Sequence, residues 1–292
     1  MYNFGAQNMI SKLKKVLMQK PQNNMSKVNL KKWNYRSPLN QNKINQNYSE
    51  FYKIIENSGV EIIELDIKNK NEELCDSIFT HDPSLIINEG AIILNMGKIL
   101  RKKETVEHER FYVSKNIPII GKIKNEGTVE GGDCLWLKED LLLVGESIRT
   151  NKSGIDQLSK ILKYYDIKVI PIKLPIYKNN NTCFHLMSLV SMLDHDLAIG
   201  CLSLMPKELI EIFKKDNIKL INIPEDEYFN SQTLAVNILA LSPRELVMIE
   251  GYPKTLNLLE KEGNKIQLFN GKELCIKCEG GPTCLTRAIE RY

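Results

Sequence analysis

GIDQLSKILKYYDIKVIPIKL, residues 154–174, decides the architecture. Ile155, Leu158, Ile161 and Leu162 fall at helical spacing, so its first half reads as an amphipathic helix. The β-branched run around Val169 then reads as a strand. The same plan recurs in YSEFYKIIENSGVEIIELDI (48–67), PKELIEIFKKDNIKLINIP (206–224) and YPKTLNLLEKEGNKIQLF (252–269). A weaker copy is HERFYVSKNIPIIGKI (108–123). The strand markers Ile62, Ile119, Val169, Leu220 and Ile266 are separated by 57, 50, 51 and 46 residues. Such regularity predicts five supersecondary units, each burying a face against its neighbours.

Between these pieces lie four apolar hairpins: 77–94, 127–145, 183–201 and 233–251. A doubly wound sheet would also alternate helices and strands, but it does not need a hairpin in every unit. The hairpins carry few polar residues. Asp82, Glu130, His185, Asn237 and Cys284 are 48, 55, 52 and 47 residues apart and so share one phase of the repeat. In a ring of five units they would converge on the axis. VEGGD (129–133) and CEGGP (278–282) echo each other about three repeats apart.

Each residue alone has a plainer reading. A lone His is more often a satisfied core residue, and Asp82 before Pro83 could simply start a turn. Cys75, Cys134, Cys183 and Cys201 read as small buried hydrophobes. Glu130 and Asp133 around two glycines could shape a tight loop. A zinc site at Cys275, Cys278 and Cys284 lacks a fourth ligand. ELCIKC alternates like a strand, which would point Cys275 and Cys278 to opposite faces and away from a redox pair.

The 292-residue chain is long enough for one large domain, taken as residues 1–292, and its net charge of +4 is mild. Its lysines are scattered, which argues against nucleic acid as partner. No secretory h-region or membrane-length apolar run is read, and the seven irregularly spaced cysteines fit a reducing, cytoplasmic setting. The asparagine-rich stretch 40–48 reads as a surface loop.

SIFTHDPSLIINEGAIILNMGKILRKKE (77–104), VEGGDCLWL (129–137), LLVGESIRTNKSGIDQL (142–158), FHLMSLVSMLDHDLAI (184–199) and CEGGPTCLTR (278–287) together resemble the guanidine-modifying enzymes. These include dimethylarginine dimethylaminohydrolase, arginine deiminase and the amidinotransferases. The resemblance spans nearly the whole chain. It implies a five-bladed α/β propeller, or pentein, in agreement with the repeat spacing. It further implies Cys284 as nucleophile, His185 as general acid and base, and Glu130 as partner of His185 and of the guanidinium. Asp82 would bind guanidinium nitrogens. Arg149 would take a substrate carboxylate, with Arg101 as second candidate, while Asp133 is better placed to shape the turn than to contact substrate. No metal or cofactor is called for. The partner would be a small guanidino compound; homo-oligomerisation is left open.

One departure bears on the substrate. Arginine deiminases and amidinotransferases typically carry Asp two residues after the His, where this chain has Met187. THDP also replaces the deiminase-like T-R-D-P, with His81 at the Arg position. The resemblance therefore leans to the dimethylargininase-like branch. Amidino transfer or an ornithine-forming dihydrolase are the enzymatic rivals. A non-catalytic binding propeller, like the ribosome anti-association factor, would not require the thiol, imidazole and two carboxylates together.

Overall fold

Among the described residues, five three-stranded sheets carry the fold. The computed structural model describes residues 4–67, 74–177 and 184–292. In chain order these are β1 (Leu13–Met18), α1 (Gln41–Asn57) and β2 (Glu61–Glu64), then β3 (Ser84–Ile87), β4 (Gly90–Ile93), α2 (Glu104–Ser114) and β5 (Ile119–Lys122). Next come β6 (Cys134–Lys138), β7 (Leu141–Glu146), α3 (Lys152–Lys163) and β8 (Lys168–Lys173), then β9 (Val190–Asp194), β10 (Leu197–Gly200), α4 (Lys207–Lys215) and β11 (Lys219–Asn222). β12 (Leu239–Ser242), β13 (Glu245–Ile249), α5 (Pro253–Lys261), β14 (Lys265–Phe269) and β15 (Arg287–Arg291) complete them.

Four sheets are built alike. An antiparallel hairpin is followed by a helix that returns the chain to a parallel third strand. The fifth has the same order, but its hairpin is not covalent: β15 pairs antiparallel with β1, and β1 pairs parallel with β2. The first strands, β3, β6, β9, β12 and β15, all contribute side chains to one central cavity. The sheets are thus blades of a five-bladed α/β propeller, as the spacing predicts.

The repeat has a local cause as well as a packing one. α3 starts at Asn151, whose side chain accepts from the Gly154 N–H at 2.8 Å. Its face Ile155, Leu158 and Leu162 joins Leu142 and Val144 of its own sheet and Ile87 and Ile92 of the preceding one in a single buried cluster. Trimming the fully buried Leu158 to Ala would cost about 2–5 kcal/mol. Every crossover then turns through a left-handed residue: Gly59, Asn116, Asp166, Asn217 and Gly263. Their spacings equal those of the strand markers, and Gly, Asn and Asp are the residues that tolerate this conformation.

Two expectations are corrected. Residues 40–48 are not a loop: Asn40 caps α1 by accepting from the Lys43 N–H, and Ile44, Asn47 and Tyr48 are buried on its inner face. Nor is ELCIKC a strand, because Lys272–Ile276 forms one π-helical turn. Asn47 fixes that turn by accepting from the Glu273 and Leu274 N–H groups, at 3.0 and 3.3 Å. Cys275 and Cys278 are both buried there. Cys75, Cys134 and Cys201 are buried as expected, whereas Cys183 lies outside the described residues. Among the described residues, no helix is long and apolar enough to cross a membrane.

Candidate active site

Asp82, Glu130, His185, Asn237 and Cys284 each stand two to five residues before the first strand of a sheet. That position brings them to one end of the propeller axis. Asp82, His185, Cys284, Arg149 and Arg101 line a cleft with about 390 Å³ of empty space, part of it open to solvent. Lys98, Asp76, Trp33 and Phe79 complete much of its wall.

Cys284 is half-buried in the loop entering β15. Its Sγ accepts from Asn237 Nδ2 at 3.4 Å, and Asn237 Oδ1 accepts from the Thr283 N–H at 3.0 Å. The Cys284 carbonyl is held by the His81 N–H at 3.2 Å. The two glycines before it permit close approach. A Cβ on Gly280 would meet the Phe79 ring at 2.2 Å, and one on Gly281 would meet Asn237 Oδ1 at 2.4 Å. Glu279 takes a left-handed φ of 65° and pairs with Arg36 at 3.0 Å.

His185 caps a short 3-10 turn, its backbone N–H donating to Ser188 Oγ at 3.1 Å. Its Nε2 lies 2.9 Å from Glu130 Oε2. Glu130 is fully buried; it also accepts from the Lys98 N–H at 2.9 Å and faces Arg149 Nη1 at 3.4 Å. Burial alone would raise its pKa, but the Arg149 guanidinium and the His185 hydrogen bond outweigh that and hold it well below the usual carboxylate range. Asp82 behaves alike: burial opposes ionisation, while Arg101 and then His185 favour it, and the net shift is downward. Its two oxygens bind Arg101 Nη1 at 2.5 Å and the Gly132 N–H at 2.9 Å.

The remaining site residues expected from the sequence divide by position. Arg149 reaches the cleft. Arg101 also borders it, but its donors already serve Glu104, Asp82 and the carbonyls of Asp76 and Phe79. Asp133 sits behind His185, accepting from Ser147 Oγ and the Leu186 N–H at 2.7 and 2.9 Å. Burial raises its pKa. Met187 turns toward the axial cavity rather than the cleft.

Sequence reasoning passed over Lys98 and Asp76. Lys98 Nζ binds Asp76 Oδ2 at 2.6 Å and the Trp33 carbonyl at 2.8 Å, and Tyr35 donates to Asp76 Oδ1 at 2.8 Å. The available signal was a carboxylate in the apolar run LCDSIF (74–79), six residues before Asp82.

Residues 66–210 match the arginine deiminase family model. Dimethylarginine dimethylaminohydrolase of Pseudomonas aeruginosa is 27% identical over 228 residues, covering 77% of this chain and 81% of that protein. Arginine deiminase of Clostridium perfringens is 25% identical over 272 residues, covering 77% of this chain and 64% of that longer protein. The Pseudomonas dimethylargininase, solved with citrulline bound, superposes with a TM-score of 0.77 over 96% of this chain and 100% of its own, at 23% identity. The family match and these relatives support a place in the guanidine-modifying superfamily. Within that superfamily the five blades are the pentein fold.

Proposed function

We propose that this protein is a cysteine hydrolase that cleaves a C–N bond of a guanidino compound, with a methylated arginine as preferred substrate class and arginine as second. The observation that carries the reading is the convergence of Cys284 and His185 on one cleft, with Glu130 bound behind His185.

A guanidinium carbon is a poor electrophile because its charge is delocalised. Carboxylates at its nitrogens hold it flat over the thiol, a task suited to Asp82 and Glu130. Cys284 attacks as thiolate, forming a C–S bond. As the C–N bond breaks, His185 delivers a proton to the departing amine or ammonia. The covalent thiouronium is then attacked by water, whose proton passes to His185. Breaking the C–S bond releases a ureido product such as citrulline and restores the thiolate. Arg149 is the group for a substrate carboxylate. Met187, two residues after His185, faces the axial cavity and offers the cleft no carboxylate, which supports an alkylated rather than a bare guanidinium.

The test is incubation with arginine, its methylated forms and agmatine, followed by assay of ureido product and released amine. Ornithine as product would favour a dihydrolase, and a new guanidino compound would favour amidino transfer. Cys284→Ser should abolish turnover without changing the melting curve; retained activity would remove Cys284 as nucleophile.

A further inference from the structure

Behind the cleft, the first strands of the sheets enclose the axial cavity. Arg287, Arg291 and Trp136 line it among apolar residues such as Leu85 and Met192. Both guanidiniums are buried, and arginine keeps its charge in proteins. Neither forms a salt bridge among the described residues, and no described Asp or Glu lines the cavity. Among the described residues the Arg291 guanidinium donates to the carbonyls of Ser11 and Ala240, and Arg287 Nη2 donates to the His81 carbonyl. Two further donors, Arg287 Nε and Trp136 Nε1, are buried with no protein acceptor among the described residues. Burying cations and N–H groups this way is costly unless a negative partner joins them.

We propose that the axial cavity binds a small inorganic monoanion of halide size, held by Arg287 Nε–H and Trp136 Nε1–H. The space among the side chains suits a water-sized guest rather than a phosphate. His81 also lines the cavity, but its Nδ1 faces the Thr286 carbonyl at 3.1 Å and so carries the proton. Its Nε2 is left as an acceptor and does not hold the anion. Arg287 follows Cys284 by three residues and anchors the carbonyl of His81, whose N–H holds Cys284. An anion on Arg287 thus braces the backbone beneath the thiol, whatever reaction the thiol performs.

The probe is bromide. Crystals grown without halide and soaked in sodium bromide should show an anomalous peak between Arg287 Nε and Trp136 Nε1. At constant ionic strength, replacing gluconate by bromide at about tenfold above Kd should raise Tm by about 2–4 °C. Arg287→Met should abolish that rise. Should it fail to fold, Trp136→Phe keeps a ring and removes the N–H, and should cut the rise by about half. A cavity with no anomalous peak, equal melting in the two salts, or a full bromide response in these variants would overturn the proposal.

Discussion

Asn237 Nδ2 donates to Cys284 Sγ across 3.4 Å, while the other end of the same amide accepts from the Thr283 N–H. One side chain therefore sets both the path of the loop and the direction of the thiol. A hydrogen bond to a charged acceptor is worth about 1.5–3 kcal/mol. Asn237→Ala should slow alkylation of Cys284 by iodoacetamide about tenfold or more at pH 7. Unchanged alkylation would mean that Asn237 only shapes the loop.

Glu130 binds the His185 imidazole and the Lys98 backbone with different oxygens. Glu130→Gln keeps the shape and removes the charge that favours imidazolium. Proton transfer by a positioned group contributes about 10²–10⁴-fold. The variant should lose about 10²-fold or more in kcat on whichever guanidino compound the wild type hydrolyses, measured by initial rates.

Gly132 lies directly against His185. A Cβ there would stand 2.3 Å from Nδ1, and Gly132 does not have a left-handed φ. Gly132→Ala therefore acts by displacing the ring, not by backbone strain. A shift of about 1 Å can cost about 10²-fold in rate. Activity should fall by that order with the fold retained, as read by kcat beside circular dichroism; full activity would show that the ring has room.

Two histidines make the fold acid-sensitive. Burial, then the Arg287 charge, lowers both His81 and His108 to a pKa of about 3. In the unfolded chain the ordinary value is about 6.5. Between these limits the unfolded state binds protons that the folded state does not, so stability rises with pH. Each histidine contributes up to about 1.4 kcal/mol per pH unit. His108→Gln should flatten urea-melt stability between pH 5 and 6.5 by about that slope, and an unchanged slope would refute its part.

Much of the ring is legible in the sequence because each unit repeats its own local signals, such as the Leu158 stripe and the turn at Asp166. The shared phase of Glu130, His185 and Cys284 follows from that repeat. What stays hidden is set across the chain. Asn-rich composition masks α1, whose burial comes from Ile44 and Tyr48 packing on distant elements. Six residues cannot separate strand from helix at Cys275, where Asn47 decides the turn from 226 positions away. Lys98 and Asp76 carry no repeat phase, so only the folded cleft reveals them.

The pairing of β1 with β15 has a kinetic meaning. Leu13 lies opposite Arg291, a contact of high sequence separation that carries a large loop-closure entropy. Cys284 sits just before β15, so its thiol reaches Asn237 only as that last seam shuts. A ring with this seam open would keep His185 on Glu130 yet leave the thiol unplaced. The thiol would thereby be armed only in the finished ring.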